Sequence, residues 1–155
     1  MTAIVEVTDL AKIFDVSAPW LNRVIDRKPR QFVHAVDGVS FAIQKGKTLA
    51  LVGESGCGKS TVARLLVGLY KPTRGNVQFS GVDTKTLDAE QTRTLRRRMQ
   101  MIFQDPYASL NPRMTISEII GEPLVVHNVA SGKDVEQRVE HLLELVGLGD
   151  QARKL

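Results

Sequence analysis

The chain has 155 residues, enough for about one domain, with 43% hydrophobic and 25% charged residues, which places it among globular proteins and excludes a disordered polymer. Its net charge of +4 suits an anionic ligand, membrane surface or nucleic acid without choosing among them. The single cysteine, Cys57, excludes an internal disulfide and a cysteine-based zinc site, and it fits a reducing, cytoplasmic setting; the three histidines lie far apart.

The first segment, Ile4 to Phe14, is moderately apolar and reads as a strand. Its start carries Glu6 and Asp9 and lacks the basic and apolar blocks of a secretory signal. Asp15 to Gln31 changes character, with two prolines and four basic residues, and reads as an excursion. A short amphipathic turn within it would rest on Trp20, Leu21, Val24 and Ile25.

Phe32 to Gln44 alternates, with Val39, Phe41 and Ile43 on one face, and predicts a half-buried strand bent at Asp37-Gly38. Lys45-Gly46-Lys47 is a turn. Thr48 to Val52 (TLALV) is a short continuous apolar run, the pattern of a strand covered on both faces of a parallel sheet.

From about Lys59 a helix is predicted, since Val62, Leu65, Leu66 and Leu69 form one apolar stripe, and Gly68 and Pro72 mark its end. Asn76 to Ser80 alternates as a strand and turns at Ser80-Gly81. A polar helix spans Asp88 to Arg98. Its cluster Arg93, Arg96, Arg97 and Arg98 reads as a solvated helix end. A nucleic-acid surface would need aromatic residues interleaved with the basic ones, and these are lacking.

Met99 to Phe103 (MQMIF) is another strand candidate. Asp105 to Arg113 holds two prolines and is a loop. Thr115 and Glu118 form a capping-box pair that opens a helix, ended or kinked near Pro123. A second helix covers Ser131 to Val146, with Gly147 after it. No run approaches the roughly 20 apolar residues that a membrane-spanning helix needs. Strands alternating with helices give an α/β class.

The strongest local signal is GESGCGKS, Gly53 to Ser60, which fits G-x-x-x-x-G-K-[ST] and lies between an apolar strand and an amphipathic helix. A triphosphate must be held without a bulky wall of side chains. Gly53, Gly56 and Gly58 let the backbone curl so that successive N–H groups point inward. The helix start adds free N–H groups and the positive end of its dipole. Lys59 is expected to reach the β- and γ-phosphates, and Ser60 to offer its hydroxyl to Mg²⁺. Glu54, Ser55, Cys57 and Thr61 complete the set expected around ATP. Cys57 reads as a small filler whose backbone N–H matters, not as a nucleophile.

Beyond this generic loop, DGVSFAIQKGKTLALVGESGCGKST (Asp37 to Thr61) resembles the ATP-binding-cassette (ABC) ATPase family. MIFQDPYASLNPRMTI (Met101 to Ile116) resembles that family's glutamine loop, in its peptide and nickel importer branch. The excursion Asp15–Gln31 is similar to that of oligopeptide, dipeptide and glutathione importer subunits.

The resemblance implies a P-loop NTPase (ABC ATPase) core with an N-terminal antiparallel β-subdomain and the start of an α-helical subdomain. The implied divisions are residues 1–52 as β-subdomain strands and lead-in, 53–104 as phosphate loop to glutamine loop, and 105–155 as the start of the helical subdomain. It further implies that Gln104 contacts Mg²⁺ and sets the attacking water. Read from residues alone, Gln104 is a strand-ending hydrogen bonder. Phe14 falls where the family places an aromatic that stacks on adenine, and plain packing remains the other reading.

The implied partners are ATP, permease subunits reached through loop 105–113, a second ATPase subunit and, indirectly, an extracytoplasmic solute-binding protein. The implied place is the inner face of the cell membrane. Nucleic acid is not among these partners. The family's signature run LSGGQ, its aspartate–glutamate strand and its switch histidine do not occur in the sequence. The expectation is therefore a truncated member that binds nucleotide without appreciable hydrolysis, whose TLALV strand lacks a sheet neighbour.

Overall fold

The computed structural model describes residues 3–19, 29–105, 107 and 110–149, so the turn expected around Trp20, Leu21, Val24 and Ile25 lies outside the described residues. The chain divides into two compact units, one up to Met101 and one from Ile102.

The first unit is built on a four-stranded antiparallel sheet. Its strands are β1 (Ala3–Asp15), β2 (Phe32–Gln44), β3 (Arg74–Phe79) and β4 (Val82–Asp83), in the order β2-β1-β3-β4. β1 lies between two partners, so its inward residues are sealed: Leu10 is fully buried and Val5, Val7 and Ala11 nearly so. Val5, Val7 and Leu10 each contribute about 1.5–3 kcal/mol on leaving water, and Ala11 less. Val39, Phe41 and Ile43 of β2 pack against this core from one face. β3 and β4 turn through Ser80 and Gly81, both at positive φ, as a tight hairpin of right-handed twist requires.

The bend expected at Asp37-Gly38 is a pair of opposed bulges. Between Val7↔Phe41 and Leu10↔Val39 the extra residue lies on β1; between Leu10↔Val39 and Lys12↔Val36 it lies on β2. Asp9 and Gly38 take φ of 47° and 68° there. Arg74 ties the two bulges together. Its Nε lies 2.8 Å from Asp9 Oδ2, and its Nη2 is 3.1 Å from Asp9 Oδ1 and 3.3 Å from Asp37 Oδ1. Gly75, at φ 76°, lies so close to β1 that a Cβ would overlap the carbonyls of Thr8 and Asp9.

Among the described residues of this unit, two helices accompany the sheet. α1 (Lys59–Leu66) buries Val62 and Leu65. The expected stripe stops short of Leu69, which is exposed, because Gly68 at φ 71° ends the helix. The end is a Schellman arrangement: Gly68 N–H donates to Leu65 O at 3.2 Å and Leu69 N–H to Arg64 O at 2.9 Å. α2 (Ala89–Arg98) buries Leu95 and opens with a capping box. Gln91 N–H donates to Asp88 Oδ1 at 2.7 Å, and Asp88 N–H to Gln91 Oε1 at 3.1 Å. Arg96, Arg97 and Arg98 are exposed in its last turn, where cations complement the helix dipole.

Two expected strands do not form. Thr48–Val52 and Met99–Phe103 carry no strand pairing, and Leu49, Leu51, Val52, Ile102 and Phe103 are exposed. An apolar run signals a capacity for burial, but burial in a sheet requires neighbours. Among the described residues no strand pairs with either segment, and the sheet is wholly antiparallel.

The second unit packs α3 (Ile116–Val126) on α4 (Lys133–Leu145). Gly121 is the contact point, since a Cβ there would stand 3.0 Å from Val135 Cγ1 and 3.6 Å from Val139. Thr115 caps α3 as its spacing with Glu118 predicts. Glu118 N–H donates to Thr115 Oγ1 at 3.2 Å, and Thr115 N–H to Glu118 Oε2 at 2.8 Å. This backbone donor, with the Thr115 hydroxyl, holds the Glu118 carboxyl below its usual range. Pro123 does not end α3: the helix runs on to Val126, and His127 N–H closes on Pro123 O at 3.1 Å. The ring lacks one donor, while the capped start and the Gly121 contact hold the turn before it. α4 ends at Gly147, φ 74°, in a second Schellman arrangement, with Leu148 N–H on Leu143 O at 2.8 Å.

Candidate functional site

Gly53 to Ser60 forms a turn that enters α1. Its backbone is shaped by what surrounds it. Gly56 and Gly58 stand at φ 83° and 97°, where a side chain is strained. Gly58 also lies directly on the Ala35 carbonyl of β2, and a Cβ there would overlap that oxygen. Gly53 faces Cys57, whose Sγ would be 2.6 Å from an added Cβ. The glycines thus serve close backbone approach as well as conformation.

The turn leaves donors unused. Cys57 N–H donates to Glu54 O at 3.3 Å, and Val62 N–H to Gly58 O at 2.9 Å. Among the described residues, the N–H groups of Gly56, Gly58, Lys59, Ser60 and Thr61 meet no protein acceptor, and no side chain caps α1. A helix start with free amides and a positive dipole end attracts an anion.

Lys59 is turned into this loop. Its Nζ donates to Gly53 O at 2.7 Å, to Glu54 O at 2.6 Å and to Cys57 Sγ at 3.5 Å, which uses all three ammonium donors. The charge is thereby held against the carbonyls of the same loop. Ser60, the second residue of α1, is exposed, and Thr61 follows half-buried. Glu54, Ser55 and Cys57 are exposed in the turn. No group of three or more His, Cys, Asp or Glu stands together among the described residues. A hard cation here would take the Ser60 hydroxyl as one oxygen donor and share its shell with phosphate oxygens, and the donor chemistry fits that arrangement.

Phe14 lies near the end of β1, opposite Val33. Its ring meets Tyr70 edge-on, with centroids 5.4 Å apart at 78°. Lys12 Nζ stands 5.0 Å from the Phe14 centroid. Gln104 belongs to the other unit and is exposed, just before the loop that holds Asp105. The first unit therefore brings Phe14 and residues 53–61 onto one framework through β2. Three participants escape sequence reasoning: Ala35, which backs Gly58, and the pair Lys12 and Tyr70 around Phe14. No local pattern marks them, because each acts across the fold.

The chain belongs to the ABC transporter family, whose profile matches residues 36–155. It is 47% identical over 94% of its length to the oligopeptide transport ATP-binding protein AppF of Bacillus subtilis, of which it covers 43%. It is 48% identical, over 94% of its length, to the glutathione import ATP-binding protein GsiA of Pectobacterium atrosepticum, covering 22% of that protein. The chain thus spans less than half the length of these curated relatives. Among solved structures, the ATP-binding cassette MJ0796, a dimer in a post-hydrolysis state bound to ADP and Pi, matches with a TM-score of 0.71 at 26% identity. That match covers 90% of this chain and 56% of the other. The fold is accordingly that of an α/β ATP-binding cassette.

Proposed function

We propose that the chain binds ATP with Mg²⁺ through residues 53–61, as the nucleotide-binding part of an ATPase that powers import of peptides or a related small solute. The observation that carries this is a loop whose five unengaged amides lead into α1 while the Lys59 ammonium is folded back onto the Gly53 and Glu54 carbonyls. Gly53 to Thr61 cradle the phosphates, with Lys59 replacing its loop carbonyls by β- and γ-phosphate oxygens. Ser60 would offer the cation one oxygen donor and Phe14 would stack on the base, while Gln104 keeps the role that the family resemblance implies for it, toward the cation and the attacking water. Bound Mg²⁺ would neutralise charge developing on the phosphates.

The relatives named for oligopeptide and glutathione transport support the substrate class. Among the described residues no helix is long and apolar enough to cross a membrane. Placement at the inner face of the cell membrane then depends on permease subunits met by loop 105–113, beside a second ATPase subunit and indirectly a solute-binding protein. In this reading residues 1–52 lead into the site, 53–104 run from phosphate loop to glutamine loop, and 105–155 begin the helical subdomain.

Within these 155 residues there is neither an LSGGQ run nor an adjacent aspartate–glutamate pair. The alternative for this stretch is therefore a nucleotide-binding module without turnover, and sustained Lys59-dependent phosphate release would overturn it. The central test is calorimetric titration of ATP-Mg²⁺ into the native chain and into Lys59→Ala. A loss of about 100-fold or more is expected, as for removal of a charge paired to several phosphate oxygens. Equal affinity in the two proteins would sink the proposal.

A further inference from the structure

We infer that Tyr70, with Lys12, is a positioning residue for nucleotide binding: it fixes the Phe14 ring relative to the phosphate loop, and so sets the nucleobase part of the affinity. The inference rests on the ATP reading above.

The structure joins the two ends of such a site twice. The first link is β2. Phe14 pairs with Val33, and Ala35 backs Gly58 of the loop. Two strand residues, roughly 7 Å, separate these contacts. That is the scale of the ribose and α-phosphate between a base and its β-phosphate.

The second link is α1. Arg64, on the helix that starts at the loop, donates from Nη1 to the Tyr70 hydroxyl at 3.4 Å, and its guanidinium stands 5.8 Å from the Tyr70 ring. Tyr70 N–H donates to Arg64 O at 3.2 Å. The Tyr70 ring in turn meets Phe14 edge-on. The helix that presents amides to phosphate thus also holds the ring that braces Phe14.

Lys12 locks the arrangement from the strand side. Its Nζ donates to Lys71 O at 2.9 Å and stands within 5.0 Å of the Phe14 centroid and 5.9 Å of the Tyr70 centroid. Thr73 N–H on Ala11 O, and Ile13 N–H on Thr73 Oγ1, knit the 70–73 segment to β1. An ammonium over the ring and the T-shaped contact with Tyr70 restrict how Phe14 can turn. A planar partner would have to take the face opposite Lys12. An aromatic ring held before the ligand arrives loses less entropy on stacking than a free one.

The test separates base from phosphate. Affinities for ATP and for inorganic tripolyphosphate, each with Mg²⁺, are measured by calorimetry on the native chain, Tyr70→Leu, Tyr70→Phe and Lys12→Gln. Base stacking on an aromatic ring is worth about 1–3 kcal/mol, so its partial loss corresponds to roughly five- to tenfold. Tyr70→Leu is expected to weaken ATP by that factor and leave tripolyphosphate unchanged. Tyr70→Phe, which keeps the ring, should recover most of the loss, and Lys12→Gln should fall between.

Equal weakening of both ligands in Tyr70→Leu, or no weakening of either, would overturn this inference alone. Failure of the native chain to bind either ligand would remove the ATP reading and this inference with it. Lys59→Ala, expected to lose both ligands together, serves as the control for the loop.

Discussion

Val7 and Val52 are the same residue in two apolar segments, yet Val7 is 2% exposed and Val52 is 92% exposed. Val7 lies in β1, paired on one side with Phe41 and on the other with Val77. Val52 lies in a run at least as apolar, with no strand beside it among the described residues. Ile102, at 93%, repeats the pattern of Val52. The difference is in pairing. β1 has an antiparallel partner along each edge, β2 on one and β3 on the other, and these satisfy its backbone. A segment patterned for a parallel sheet needs crossovers before it can be covered. Apolar content alone does not bury a segment, because its N–H and C=O groups must be satisfied as well.

The sharpest way to break the well-paired region is Gly75→Val. A Cβ there overlaps two β1 carbonyls at a positive φ, so the β1–β3 pairing cannot close without backbone movement. A loss of about 4 kcal/mol or more is expected, read as a collapse of the denaturation midpoint.

Next in size, Leu10→Ala removes a fully buried side chain and should cost about 3 kcal/mol. Val52→Ala, made in parallel, should stay within about 0.5 kcal/mol of the native chain because its side chain is already in water. Comparable losses from the two would show that residues 48–52 are covered after all, and would erase the contrast between Val7 and Val52.

The smallest effect lies in the second unit. The Glu118 carboxyl titrates below its usual range because Thr115 N–H and its hydroxyl donate to the charged form. A depressed value in the folded state means that the stabilisation is present above the unfolded value and is lost as pH falls through the folded one. The native helix signal should therefore decline from roughly pH 4.3 downward. In Glu118→Gln the decline should be shallower, with slightly lower helicity at neutral pH. Identical circular-dichroism profiles for the two proteins would show that the capping box contributes nothing in solution.

Much of the candidate site was legible as text. The spacing of Gly53, Gly56, Gly58, Lys59 and Ser60 is a local pattern, and the amides left unengaged lie within the six residues from Gly56 to Thr61. The capping pair Thr115–Glu118, the turn at Ser80-Gly81 and the bend at Asp37-Gly38 are legible for the same reason, since each is decided within a few residues. Pro123 does not end the helix as one of its two expected effects required, since the chain stays helical through it to Val126. Lys12, Tyr70 and Arg64 left no mark in the sequence. They meet Phe14 and one another only through the β1 register and the short course of α1.

The sequence by itself determined what closes within a few residues, namely the phosphate-type loop, the tight turns and the helix caps, while apolar patterning marked β1 and β2 as strands. The tertiary structure alone decided which apolar segments are covered, how Arg74 joins two bulges, and that Ala35 supports Gly58. The physical reason is that these depend on groups far apart in the chain. Their meeting is set by strand register and packing, and no window of neighbouring residues contains that information.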